Sequence, residues 1–323
     1  MAGRLVSWFW CVLVLVSVGC QSARPNVPRV MSNNPALSNL SEGQTIEVRH
    51  GAVVSVSPDA SRVGRDVLVR GGNAVDAAVA TAFALAVTFP EAGNIGGGGF
   101  LVVYSGKGIA PVVVDYRETA PALAKADTMA KGKPTQYQLV GVPGTVRGLA
   151  LAHEKFGKLP WKDLVMPAVG LAKEGFELNK DVAEALNEYL AKPGDEANEM
   201  RRVLGKSGGG NWAAGDRLVQ PELAETLRRI AEEGPKAFYE GAIADSIVSS
   251  LRDGLIRKED LAGYSAKVRE PIHGTFRGFD VYGPPPPSSG GICLVEMLNV
   301  LEYLNLRENE RWSAKTLHLM IET

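Results

Sequence analysis

The chain has 323 residues, of which 45% are apolar and 22% charged, with a formal net charge of −1. That length and apolar content supply a large core. The near-neutral charge gives no electrostatic footprint for nucleic acid, and three cysteines are too few for a disulfide scaffold.

Residues 1–20 read as a secretory signal: Arg4 supplies a positive start, 5–18 are apolar, and small residues precede Cys20. The apolar run is short for a membrane span. Val16-Ser17-Val18-Gly19-Cys20 resembles a bacterial lipobox, which would make Cys20 the lipid-attachment residue and the membrane anchor. Ser17 stands where such boxes carry Leu, so ordinary cleavage nearby is the alternative. Residues 21–44 are polar and rich in Pro, Ser and Asn, a flexible tether ahead of a body spanning 45–323.

In the body, 52–57 is expected as a strand and 58–69 as a helix. The run 74–89 is apolar on every side except for Asp76 and is too short to cross a bilayer, so it reads as a buried core helix. Asn73 stands at its N-cap with Asp76 three residues on, and Phe89-Pro90 closes it. Gly96 to Gly99 fit neither phosphate-loop spacing, which favours a close-packed turn feeding a buried strand. Strands are expected over 100–104 and 111–116, paired as a hairpin around Ser105 to Gly108.

Arg117 follows the second of these strands and is the candidate binding residue. Its guanidinium is either a solvated cation paired with Asp115 or Glu118, or a fork that clamps a carboxylate.

Farther on, 141–146 is a turn entering a helix that closes at Phe156-Gly157, followed by helices over 161–175 and 181–191. A polar, Gly-rich excursion is expected over 193–211, then helices over 221–233, 237–251 and 258–264. Strands are expected over 267–272 and 274–282, a polyproline II rod and hinge over 284–291, and an apolar helix over 292–304. Ser288 and Ser289 lack a G-x-S-x-G frame and read as a cap or a cleft wall. Cys293 reads as a buried small hydrophobe. The four histidines, His50, His153, His273 and His318, are scattered singly, so no metal site is expected, and His50 reads as structural.

Several motifs in one order resemble the gamma-glutamyltranspeptidase family. They are Gly71 to Ala80, Pro90 to Phe100, Asp115-Tyr116-Arg117-Glu118-Thr119-Ala120-Pro121, Gly141 to Val146, Glu233 to Gly241, Leu255 to Leu261 and Pro285 to Ile292. Cys293 departs from bacterial relatives, which often carry His there. The resemblance implies an α/β N-terminal nucleophile hydrolase, a four-layer α/β/β/α sandwich built as a self-cutting precursor. It implies a nucleophilic Thr at the start of a small subunit, whose freed amine serves as base, and no cofactor. It also implies that Arg117 grips the α-carboxylate of a gamma-glutamyl donor such as glutathione, with transfer to water, an amino acid or a peptide. No Thr-Thr pair occurs, so the 323 residues are expected to be part of a large subunit, with the sandwich incomplete and no activity by themselves. Two alternatives stand beside this reading. One is a glutaryl- or cephalosporin-type acylase of the same fold; the other is a non-catalytic surface lipoprotein that binds gamma-glutamyl peptides. The expected location is across the inner membrane, in the periplasm or at the cell surface.

Overall fold

In the computed structural model the described residues are 48–106, 108–127, 134–304, 306 and 309–323. The expected signal, tether and Cys20 lie outside them. The core begins with two helices, α1 (Pro58–Val69) and α2 (Ala74–Thr88). Ser57 caps α1, its hydroxyl accepting the Ala60 amide at 3.3 Å. The capping box read from Asn73 and Asp76 forms: Asn73 Oδ1 accepts the Val75 and Asp76 amides at 2.9 and 3.0 Å, and Asp76 Oδ2 accepts the Asn73 amide at 2.9 Å. Helix α2 is buried on nearly all sides and ends at Phe89, as an apolar helix before a proline should.

Strands β1 (Phe100–Val103) and β2 (Val112–Asp115) pair antiparallel, with Phe100 opposite Asp115. The chain then turns through Gln136–Leu139 into α3 (Thr145–Phe156) and α4 (Trp161–Glu174). Helix α2 is packed between α1, α3 and α4, and α3 also touches β2. Phe83 of α2 meets Trp161 edge-on at 5.4 Å, and the Trp161 indole N–H donates to Ile230 O at 2.9 Å.

The short strands β3 (Phe176–Glu177) and β4 (Arg217–Leu218) pair around helices α5 (Lys180–Ala191) and α6 (Asp195–Leu204). Helix α6 replaces part of the excursion expected over 193–211. Its polar composition hid it, because its surface side is held by pairs three residues apart: Arg202 with Glu199 and Arg201 with Asn198. Arg201 also donates to Leu190 O and Lys192 O, tying α6 to the end of α5.

Helix α7 (Pro221–Glu233) packs on α4, and buried Gln220 just before it donates to Val87 O at 2.9 Å. The helix expected over 237–251 is two, α8 (Lys236–Tyr239) and α9 (Gly241–Ser250). Glu240 is extended (φ −135°, ψ 159°) and Gly241 takes a positive φ of 68°, which breaks the helical ladder between them. After α10 (Lys258–Gly263), β5 (Lys267–Arg269) joins β2 on its other edge, giving the sheet order β1-β2-β5. β2 is therefore central, and Val113, Val114 and Asp115 are all buried.

The strand expected over 274–282 is a hairpin of β6 (Ile272–Phe276) and β7 (Phe279–Gly283). Arg277 and Gly278 form its turn with φ of 50° and 80°, the left-handed pair that tight hairpins need. The prolines at 284–287 turn instead of running on as a rod, with the Ser288 amide donating to Pro285 O at 3.1 Å. Helices α11 (Gly290–Tyr303) and α12 (Ala314–Ile321) complete the described chain. Cys293 is exposed, because α11 packs one face on the β6–β7 hairpin and the cysteine lies off that face. The strand expected over 52–57 is absent: no strand among the described residues lies beside that segment to form a ladder, and Val54 is 91% exposed.

Candidate functional site

β2 delivers the chain to Arg117. Its last sheet-like contact is the reciprocal pair between Tyr116 and Gly99, at 3.0 and 3.3 Å, after which the backbone leaves the sheet. The glycine run is what lets it leave there. A Cβ on Gly98 would sit 2.5 Å from Tyr116 O and 2.8 Å from the Glu118 amide, so the loop and the strand end touch backbone to backbone. The turn is closed from within: Asn94 Oδ1 accepts the Gly97 amide at 3.0 Å and the Thr145 hydroxyl at 2.7 Å. Gly97 O in turn accepts the Gly144 and Thr145 amides at 2.7 and 3.0 Å. The glycines thus pack a turn against the start of α3, as their spacing suggested.

The Arg117 peptide is held on both sides. Its amide donates to Asp115 Oδ1 at 3.0 Å, and its carbonyl accepts the Tyr264 hydroxyl at 2.9 Å. The second oxygen of Asp115 takes a hydrogen bond from Arg269 Nε at 2.5 Å. Asp115 is therefore committed to Arg269 and the Arg117 backbone. The Arg117 guanidinium is left with Glu118, through Nε at 3.3 Å, and its side chain is 60% exposed. Among the described residues Glu118 is the one ion-pair partner of that side chain, which leaves the guanidinium largely open to solvent. The flat outer edge of a guanidinium is the part that grips a carboxylate with two parallel hydrogen bonds.

The floor beneath is aromatic. Tyr264 stacks on Tyr239 with ring centres 6.1 Å apart and planes 6° from parallel, and Arg147 lies 4.7 Å over Tyr239. Burial pushes the Tyr264 hydroxyl well above its ordinary range, with the nearby Tyr239, Asp115 and Glu118 adding to it. Burial likewise raises Tyr239 and Tyr116. Tyr264 is thus a fixed hydrogen-bond donor at any physiological pH. Beside this floor, where Gly96 and Pro143 flank the Gly97–Gly144 bond, lies a groove of about 520 Å³ with Phe238, Ile243 and Ile247 among its walls.

The other sequence candidates lie elsewhere. His153 bonds Leu159 O at 2.7 Å inside the helical layer, and His273 pairs with Asp280 in the β6–β7 hairpin. Among the described residues no group of His, Cys, Asp and Glu could hold a metal, and no helix is long and apolar enough to cross a membrane. Tyr264 and Arg269 carry no local sequence signal for this site. They reach Arg117 and Asp115 across 147 and 154 residues of chain.

The profile of the family described as gamma-glutamyltranspeptidase matches residues 60–323. The glutathione hydrolase proenzyme of Escherichia coli (strain K12) is 43% identical over 287 residues, covering 86% of this chain and 49% of that protein. The chain thus spans about half the length of the curated relatives it matches. Among solved structures, the gamma-glutamyltranspeptidase of Helicobacter pylori aligns with a TM-score of 0.80 at 38% identity, covering 86% of this chain and 82% of that one. The Pseudomonas nitroreducens gamma-glutamyltranspeptidase complexed with L-DON aligns at 0.76 and 40% identity, covering 85% and 84%. The fold is accordingly the α/β N-terminal nucleophile hydrolase class expected from the sequence. With its family profile matched from residue 60 to residue 323 and its fold shared along most of that length, the chain belongs to the gamma-glutamyltranspeptidase family.

Proposed function

We propose that these residues form the donor-recognising part of a self-processing gamma-glutamyl transferase or glutathione hydrolase. The observation that carries this reading is Arg117 itself, its peptide held at both the amide and the carbonyl and its guanidinium 60% exposed with Glu118 beside it. A carboxylate seated there would be the α-carboxylate of a gamma-glutamyl group, for which a planar two-pronged donor is the fitting partner. The family membership of the chain supports the same assignment.

The chemistry would be acyl transfer through a threonine outside these 323 residues, at the N-terminus of a small subunit cut from the same precursor. The Thr Oγ attacks the gamma-carbonyl carbon, its proton passing by way of its own α-amine to the departing amine as the amide C–N bond breaks. Backbone amides hold the oxyanion on the way. The gamma-glutamyl ester is then attacked by water, releasing glutamate, or by an amine, giving a new gamma-glutamyl amide. The precursor would be exported across the inner membrane and held at the periplasmic or cell surface through a lipid on Cys20. A cysteine beside small residues after an apolar run supports that anchor.

The test is turnover of a gamma-glutamyl anilide, compared with a glutaryl anilide, by the full-length gene product and its Arg117→Lys variant. A lysine replaces the two-pronged contact with a point charge, so KM for the gamma-glutamyl donor should rise about 10- to 100-fold. Unchanged kinetics would remove Arg117 from the site. Preference for the glutaryl compound would turn the assignment to an acylase of the same fold.

A further inference from the structure

The Arg117 peptide is gripped by a segment far away in sequence. Once past Tyr116 the chain has left the sheet of β1, β2 and β5, and two side-chain hydrogen bonds hold the Arg117 peptide and with it the direction of the Cα–Cβ bond. Asp115 Oδ1 fixes the amide and Tyr264 fixes the carbonyl. Neither anchor is free to drift. The Asp115 side chain is 7% exposed and is locked by Arg269. Its Cα stands opposite Lys267, so Arg269 reaches it diagonally, from two residues along the same face of β5. The Tyr264 ring is clamped flat against Tyr239. Gly144 completes the arrangement, because a Cβ there would lie 2.2 Å from the Tyr264 hydroxyl and 2.0 Å from Tyr116 O. A third tie runs the same way: the Asp260 carboxylate accepts the Ala122 amide at 2.8 Å and the Arg257 amide at 2.8 Å. The stretch 257–269 therefore acts as a splint along 115–122.

We propose that Tyr264 and Arg269 are positioning residues for donor recognition: they set the direction of the Arg117 fork through its own peptide, Tyr264 at the carbonyl and Arg269 by way of Asp115. The inference rests on the reading of Arg117 as the carboxylate clamp. With the backbone at its base already held, only the side-chain torsions of Arg117 remain to be ordered when the donor binds, so the splint acts on donor affinity. Tyr264 and Arg269 spend these bonds on the Arg117 carbonyl and on Asp115, so they act through the clamp and should leave the chemical step nearly alone.

The experiment uses the full-length gene product with Tyr264→Phe, Arg269→Lys and Arg117→Lys, singly, and with Tyr264→Phe combined with Arg117→Lys. KM and kcat are measured for a gamma-glutamyl anilide. Tyr264→Phe keeps the ring and its stack while deleting one hydrogen bond, and should raise KM about fivefold with kcat within about twofold. Arg269→Lys keeps the charge beside Asp115 and should raise KM by less. In the Arg117→Lys background, Tyr264→Phe should add almost nothing, because it acts through the fork that is gone. A rise in KM for Arg117→Lys without one for Tyr264→Phe or Arg269→Lys would overturn the positioning role and leave the clamp standing. A fall in kcat at constant KM, or a full Tyr264→Phe effect in the Arg117→Lys background, would also overturn it. If Arg117→Lys itself left KM unchanged, the clamp would fall and the splint with it.

Discussion

Asp76 accepts the Lys158 amide through both carboxylate oxygens, at 2.9 and 3.1 Å, across 82 residues of chain. The same carboxylate accepts the Asn73 amide and, at 3.3 Å, the Leu159 amide. One side chain thus caps α2 and also pins the α3–α4 connection to its first turn. All of its partners are donors, and Asp76 is fully buried. In Asp76→Asn an amide NH₂ would face those N–H groups, and the buried donors would lose an acceptor. The expected cost is about 2 kcal/mol, read as a lower urea midpoint with unchanged slope. A midpoint like that of the wild type would show that the cap does not hold the connection.

Phe83 is the hub of the helical layer. It is completely buried, edge-on to Trp161, whose own indole is tied to Ile230 O in α7. Phe83→Ala removes a ring from between three helices that are themselves fixed by hydrogen bonds, so the gap cannot close well. A loss of about 3–5 kcal/mol is expected in denaturant unfolding. A loss below about 1 kcal/mol would mean that the layer repacks freely.

What the sequence made legible is what short-range chemistry decides. Asn73 and Asp76 stand one helical turn apart, Pro90 follows Phe89, and a short apolar run marks 112–115; each of these elements formed within a residue or two of its expected bounds. Helix α6 and the β6–β7 turn were hidden for a local reason. Polar side chains paired along one helix look like a loop, and Arg277-Gly278 is a less familiar turn pair than Asn-Gly. Segment 52–57 has strand composition but no neighbouring strand among the described residues, and a ladder needs two. The surroundings of Arg117 were illegible for a different reason. The residue itself stood out, but the competition between Asp115 and Glu118 for its charge is settled by Arg269, which arrives from 154 residues away.

The glycine run allows a sharp contrast between neighbours. A Cβ on Gly98 would be driven into Tyr116 O and the Glu118 amide, both backbone atoms that cannot swing aside, whereas a Cβ on Gly96 meets nothing within 4 Å. Gly98→Ala should therefore displace the strand end that carries Arg117. Full-length product bearing it should show a raised KM for a gamma-glutamyl anilide and a stability loss of about 1–3 kcal/mol. Gly96→Ala should change stability by no more than about 0.5–1 kcal/mol, in the favourable direction if at all, since it only restricts the unfolded chain. Equal behaviour of the two variants would mean that the loop is not packed against the strand end.

Glu225 offers a pH test that does not act through Arg117 or the residues that hold its peptide. Arg228 and then Arg229, one turn on along α7, hold its carboxyl down to about 2 from an ordinary 4.5. The folded-state value lies below the unfolded one, so whatever this cluster contributes to stability is complete above pH 4.5 and is lost as the pH falls towards 2. The groups are exposed, so that contribution is small and screened by salt. The carboxyl resonance of Glu225, followed by NMR, should titrate near pH 2 at low ionic strength and move upward in high salt or in Arg228→Gln. A midpoint of about 4 or above at low salt would mean that the two arginines do not engage it in solution.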